Sequence, residues 1–314
     1  MAWSRVTSAL VSALVLVAGC SAGTTVRYEE TGTAGDALTV LAGGEGYRDV
    51  LHYVVDHDLA PGVRLTIADA GDDANSQVAD GRADLAFFQI RPAFNGEVGG
   101  ELDERRAAEL SVASAVDVAP YALYSSKWQD VAPTQSWLDA GIVDDRITGR
   151  SLPHGATVGV PGTPAGLARS LYLLQSANLV RLDRPFGGTQ AGDLSITEAN
   201  VVESQRHLTL RQIDTDFGAD AHRNLDAVIL DPRSAAAAGL VPARDALAIE
   251  PGPHNPYARV LVAPARLAGD PRISALARAL EGQQVADYLA KRYSGAIISV
   301  HIPFSTPRLA TAGR

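Results

Sequence analysis

Cysteine is almost missing from this 314-residue chain, in which Cys20 stands alone. No internal disulfide can form, and no metal site can be built from several thiolates. Lysine is scarce too: Lys127 and Lys291 are the only two, and the other basic residues are arginines. The net charge of −9 lacks the basic excess that a nucleic-acid surface requires, so nucleic acid is excluded as a partner. Aromatics make up only 6%, which leaves few rings for stacking in any pocket. Catalytic signatures are absent: the body of the chain carries no Gly-x-Ser-x-Gly elbow, no Walker loop and no His-Glu-x-x-His. His52 and His57 lie five apart, which does not put two ligands on one helical face. Neither a metal nor a cofactor is expected, and an enzyme is not. What remains is a chain with 46% hydrophobic and 20% charged residues, enough for a folded body with a real core.

The sharpest local signal is at the N-terminus. Arg5 precedes the apolar run Ala9 to Ala18. That run is shorter than the roughly 20 residues needed to span a bilayer, and has the length of a signal-peptide core. It ends in Val17-Ala18-Gly19-Cys20, which resembles the bacterial lipobox, in which small residues precede a cysteine that is lipidated. Residues 1–19 are therefore expected to be a signal peptide and Cys20 the lipidated residue. Several acyl chains on one residue anchor a protein stably, whereas one is marginal. Residues 20–36 are rich in Gly, Thr and Ala without a hydrophobic period, and read as a lipidated tether.

The rest alternates between strand and helix patterns. Leu38 to Ala42, Arg64 to Ala68, Leu85 to Phe88, Thr157 to Val160, Ala227 to Leu230 and Arg259 to Val262 read as strands. Tyr47, Val50, Leu51, Val54 and Val55 form one apolar helical stripe, ended by Pro61-Gly62. A short helix is expected near Asn75 to Asp80, and longer ones over Leu167 to Asn178 and Arg272 to Arg292. Strands spaced by helices predict mainly parallel sheets and an α/β class. The turn Gly43 to Gly46 is either an anion cradle or a simple tight turn. It fails the dinucleotide fingerprint, because the third glycine position is Asp49.

Several segments, in collinear order, carry a family likeness. They are Asp84-Leu85-Ala86-Phe87-Phe88-Gln89, Pro120 to Lys127, Gly155 to Gln175, Ile196-Thr197-Glu198, Leu225 to Asp231, Ala238-Gly239-Leu240 and Tyr293 to Ile298. Together, over about residues 38 to 300 and behind a lipobox, they resemble the methionine-binding lipoproteins, the solute-binding components of methionine ABC importers. The likeness implies a type II periplasmic-binding-protein fold: two α/β lobes, two crossing strands, and a ligand clamped between the lobes. Lobe one is expected at 36–119 plus 231–303 and lobe two at 120–230, with Thr134 to Pro153 as an added loop. The implied partners are an amino-acid-like solute, an ABC permease and the membrane at its extracytoplasmic face, with the protein a monomer. A sensor or interaction module on the same scaffold is the alternative.

The likeness also proposes a site. Arg169 falls at the family's ligand-binding arginine, whose planar guanidinium suits a carboxylate. Phe87 and Phe88 match an aromatic pair, one of which packs on the ligand while the other faces the core by strand alternation. Asn75 matches a cleft asparagine, or caps the helix that follows. Gln89 closes the Phe-Phe-Gln motif, and Asn200 is the nearest candidate for a displaced family asparagine. Asp231 stands where the family has asparagine at the second crossing, and is expected to pair with a ligand ammonium. Ile90 and Gly71 replace the family's histidine and tyrosine. A polar pocket penalises unmatched groups, so a ligand other than methionine is expected.

Overall fold

The computed structural model describes residues 37–100, 108–129, 131, 151–204 and 206–305. The signal segment, Cys20, the tether and all but the last three residues of the loop expected at 134–153 lie outside the described residues.

The chain begins by laying down part of a sheet. β1 (Leu38–Ala42) runs into α1 (Glu45–Asp56), β2 (Leu65–Asp69), α2 (Ala74–Ala79), β3 (Leu85–Ile90), α3 (Arg91–Gly100) and β4 (Leu110–Val118). β1 is parallel to both β2 and β3. Ala119-Pro120-Tyr121 then carries the chain into a second sheet. Its elements are β5 (Ala122–Tyr124), β6 (Thr157–Pro161), α4 (Pro164–Ser176), β7 (Val180–Leu182), α5 (Ala191–Leu194), β8 (Val201–Ser204), β9 (Thr209–Ile213), α6 (Gly218–Asn224), β10 (Ala227–Leu230), α7 (Pro232–Ala237), α8 (Pro242–Asp245) and β11 (Ala248–Ile249). Residues 250–258 lead back, and β12 (Arg259–Pro264), α9 (Pro271–Leu280), α10 (Gln283–Tyr293) and β13 (Ile298–Ser299) complete the first sheet. The sheet orders are β13-β4-β12-β3-β1-β2 and β11-β5-β10-β6-β9, with β7 and β8 forming a separate ribbon. This is the expected two-lobed α/β architecture.

Each sheet is covered on both faces. In the first, Leu38, Val40 and Phe87 pack beneath α1 and α9, while Leu41, Ala86 and Val262 pack beneath α2. The alternation of side chains along a strand sends Phe87 to one layer and Phe88 to the other. The second sheet is held mainly by α4, which buries Leu167, Ala168, Leu171, Tyr172, Leu173 and Leu174. Each fully buried leucine adds about 1.5–3 kcal/mol of transfer free energy. α4 starts where it does because Thr163 caps it, accepting the Gly166 N–H at 3.0 Å, and Pro164 supplies a preset first turn.

Two expectations are corrected. The helix expected over Arg272 to Arg292 is two helices, broken at Glu281-Gly282, where Gly282 takes up an extended N-cap conformation. The second crossing also comes later than 231. β11 still pairs with β5, and Ala235 and Ala246 belong to a core of the second sheet, so residues 231–249 stay there. The return falls between Ile249 and Arg259.

Asp226 shows how the second sheet is locked. Its Oδ2 accepts the Thr157 backbone N–H at 3.0 Å, and Lys127 Nζ stands 3.5 Å from Oδ1. The Thr157 hydrogen bond, with Lys127 assisting, holds this carboxyl below the usual aspartate range. A depressed folded-state pKa gives stability that is present above the unfolded value, near 3.9, and lost as pH falls through the folded value. The urea midpoint of Asp226→Asn should therefore lie below that of wild type at neutral pH. The gap should close as pH drops below about 4. A gap that persists unchanged at low pH would refute this assignment.

Candidate functional site

In an open α/β sheet, ligands lie outside the carboxyl ends of the parallel strands. Here those edges of both sheets meet the crossings. In the first sheet, Arg259 at the start of β12 is level with Asp117 near the end of β4 and with Ile90 at the end of β3. In the second, Ala122 at the start of β5 is level with Leu230 at the end of β10 and with Ile249 at the end of β11. Both crossings thus run between the two carboxyl edges, and the side chains at their ends define the junction.

Arg169, on the second turn of α4, reaches this junction from the second lobe. Its Nε donates to Glu250 Oε1 at 3.1 Å, one terminal nitrogen pairs with Glu250 Oε2, and that nitrogen also donates to the Ala119 carbonyl at 2.9 Å. Ala119 belongs to the first crossing and Glu250 to the second. The guanidinium carbon lies 4.0 Å from the Tyr121 ring centre and 4.7 Å from that of Tyr257. Glu250 is fully buried, and it also accepts the Tyr121 N–H at 3.0 Å while its own N–H donates to the Tyr121 carbonyl at 2.8 Å. Burial opposes the charge on Arg169, but Glu250 outweighs it, so the arginine pKa lies above its ordinary value. Burial pushes the Tyr257 hydroxyl up to about 12, so it remains a neutral donor, and it reaches the Leu194 carbonyl at 3.4 Å.

A second arginine is held in the same way on the first lobe. Arg259 pairs through Nε with fully buried Asp117, donates to the Gly46 carbonyl at 3.2 Å, and lies 4.2 Å over the Tyr47 ring. Burial pushes the Asp117 carboxyl up, and Arg259 offsets only part of that. The glycine turn is therefore backed by an arginine that is itself neutralised, with its Gly46 carbonyl accepting. The turn is a tight turn here, and the anion-cradle reading gains no support.

The remaining candidates sort as follows. Asn75 and Gln89 do meet: Gln89 Nε2 donates to Asn75 Oδ1 at 2.9 Å, and both residues are buried. Gln89 Oε1 is buried without a hydrogen-bond partner. The cap position before α2 is Asp73, so Asn75 is not the cap. Phe87 is fully buried, edge-on to Tyr47 at 5.0 Å, while Phe88 is half-buried. Asp231 is the N-cap of α7, accepting from Arg233 N, Ser234 N and Ser234 Oγ at 2.8, 3.1 and 2.7 Å. Asn200 accepts the Thr197 N–H and donates to Asp183 Oδ2, in the turn that leads into β8. Cys20 lies outside the described residues. Among the described residues, no group of three or more His, Cys, Asp or Glu side chains is placed to hold a metal ion, and no helix is long and apolar enough to cross a membrane.

Glu250, Asp117, Arg259, Tyr47, Tyr121 and Tyr257 were not singled out from the sequence. A signal existed for the charged ones. Asp117 interrupts the apolar Val116 and Val118, and Arg259 opens the apolar run Val260-Leu261-Val262. A charge in such a setting is almost never buried unless paired.

Removing one partner of a buried ion pair leaves the other uncompensated and costs about 3–5 kcal/mol. Arg169→Ala should therefore lower the urea-unfolding free energy by about that amount without any ligand present. Asp231→Ala removes only a cap and should cost about 0.5–2 kcal/mol. An Arg169→Ala protein as stable as wild type would show that the Glu250 contact holds nothing together.

Comparison with known proteins accords with this geometry. The NlpA lipoprotein family model matches residues 146–301. Membrane lipoprotein TpN32 of Treponema pallidum is 30% identical over 224 residues, covering 70% of this chain and 71% of its own length. Methionine-binding lipoprotein MetQ of Bacillus subtilis is 25% identical, covering 72% and 73% respectively. Among solved structures, an ABC transporter periplasmic substrate-binding protein from Coxiella burnetii superposes with a TM-score of 0.51 at 24% identity, over 83% of this chain and 99% of that one. With two lobes, two crossings and a relative at this identity over most of both lengths, the chain belongs to the NlpA lipoprotein family.

Proposed function

We propose that this protein is the solute-binding lipoprotein of an ABC importer. It is held by Cys20 at the extracytoplasmic face of the membrane, and captures an amino-acid-like solute between its lobes for a permease. The observation that carries the reading is the convergence of both crossings and both carboxyl edges on one junction. That arrangement lets two lobes close around a solute by a hinge motion. Family membership supports it, as do the relatives named for methionine binding and for an ABC transporter. On this reading lobe one comprises about 37–118 plus 259–303 and lobe two about 122–249. Asn75, Gln89 and Phe88 face the solute from the first lobe, and Arg169 and Asp231 from the second. Phe87 and Asn200 act behind or away from it. The relatives' names describe binding proteins, so the protein is read as a carrier.

A second reading, a sensor or interaction module on the same scaffold, is favoured by one observation: Arg169 already holds a carboxylate of its own chain. A thermal-shift screen of the tether-free body against amino acids, dipeptides and small organic cations separates the two. A ligand at 100 times its dissociation constant adds about 2.7 kcal/mol of stability. A clear shift with one class is the expected result. No shift with any of them would move the assignment to the sensor or interaction module.

A further inference from the structure

Resting on the proposed capture of a solute at the lobe junction, we infer that Tyr121 is a further solute-binding residue: its hydroxyl joins Nη1 of Arg169 in donating to the carboxylate of the solute. The donors of the guanidinium are unevenly spent. Nε and one terminal nitrogen are engaged by the two oxygens of Glu250, and that terminal nitrogen also serves the Ala119 carbonyl. The other terminal nitrogen, Nη1, is hydrogen-bonded to none of the described residues, and it is not among the unpartnered atoms sealed from solvent. Its two N–H groups are left for a ligand. A carboxylate is held best by two donors side by side, and the usual fork of this arginine is closed by Glu250. The second donor has to come from a neighbour.

Tyr121 supplies it. This residue ends the first crossing, immediately before β5, and the guanidinium carbon lies over its ring, 4.0 Å from the centre. Its backbone is pinned at both polar groups by Glu250, so the ring has a fixed place beside Arg169. The hydroxyl, at the rim of that ring, meets none of the described residues and is likewise not among the sealed atoms. One carboxylate can then accept from the hydroxyl and from Nη1 together. The other tyrosine at this guanidinium differs, because the Tyr257 hydroxyl is directed to the Leu194 carbonyl. Burial pushes the Tyr121 hydroxyl up, and Asp231 and Glu250 add to this against the pull of Arg169, so it stays a neutral donor. An uncharged O–H suits the place. Glu250 already offsets the charge of Arg169, so a solute anion gains from a further hydrogen bond that brings no new charge to be buried.

Tyr121→Phe isolates this role. It keeps the ring under the guanidinium and the backbone bonds to Glu250, and removes only the oxygen. The common amino acids are first titrated into the wild-type protein by isothermal calorimetry. The tightest is carried forward with its amino alcohol, in which CH2OH replaces the carboxylate. Tyr121→Phe, with an unchanged urea midpoint, should bind the acid about tenfold more weakly or worse, as loss of a hydrogen bond to a charged group implies. Its affinity for the amino alcohol should be that of wild type. An amino alcohol that fails to bind even wild type supports the inference as well, since the carboxylate is then what the junction holds. An acid bound equally well by Tyr121→Phe and wild type would overturn the inference and leave solute capture intact. Equal losses for acid and alcohol would overturn it too, because the hydroxyl would then serve another part of the solute. Failure of every amino acid to bind wild type would remove the solute-capture reading and this inference together.

Discussion

Everything at the junction depends on how one buried ion pair is satisfied. Taking the charges of Arg169 and Glu250 out of water costs several kcal/mol each, and their attraction repays this only with good geometry and further hydrogen bonds. Those further bonds come from both crossings: the Ala119 carbonyl, the Tyr121 N–H and the Tyr121 carbonyl. Satisfying the pair therefore fixes two chain segments against each other and against α4. Arg259 and Asp117 repeat the device at the edge of the first sheet, again with a tyrosine ring beneath the guanidinium.

The segment between the two pairs is stiff for reasons of its own. Pro251, Pro253 and Pro256 each fix a backbone angle, and Asn255 folds the stretch on itself by donating to the Pro251 carbonyl and accepting the Tyr257 N–H, both at 2.9 Å. Gly252 lies so close to β13 that a Cβ there would stand 2.1 Å from the Ser299 carbonyl oxygen. A hinge movement has little freedom in this second crossing, so it must draw on the short first one and on the residues that flank both.

Local pattern carried the fold further than the site. β1, β6, β10 and β12 are legible because apolar strands between turn signals need only their neighbours to be recognised, and α4 is legible from Thr163-Pro164 and the leucines that follow. The break at Gly282 was hidden, since the apolar positions of α9 and α10 together imitate one long stripe. Arg169 was singled out by likeness, but its partner Glu250 lies 81 residues away, and sequence spacing says nothing about such a contact. At Asp231 the local signal and the family likeness point to different roles. An aspartate just before a proline and a run of alanines is a strong N-cap signal, and the local chemistry of the helix end accounts for its bonds before any ligand is invoked.

The order of the strands has a consequence in time. β12 pairs with β3 and β4, and Arg259 meets Asp117 across 142 positions of sequence. The first sheet cannot be finished until the whole second lobe has been made and the chain has come back. A central strand, β12, and with it the positive partner of its buried aspartate, arrive late, with only β13 to follow. Contacts of such long sequence separation form slowly, because loop closure must precede any gain from pairing. A nascent chain of this topology stays open through most of its synthesis. For a chain that has to cross a membrane before it folds, a late-closing sheet lengthens the time in which it can still be threaded.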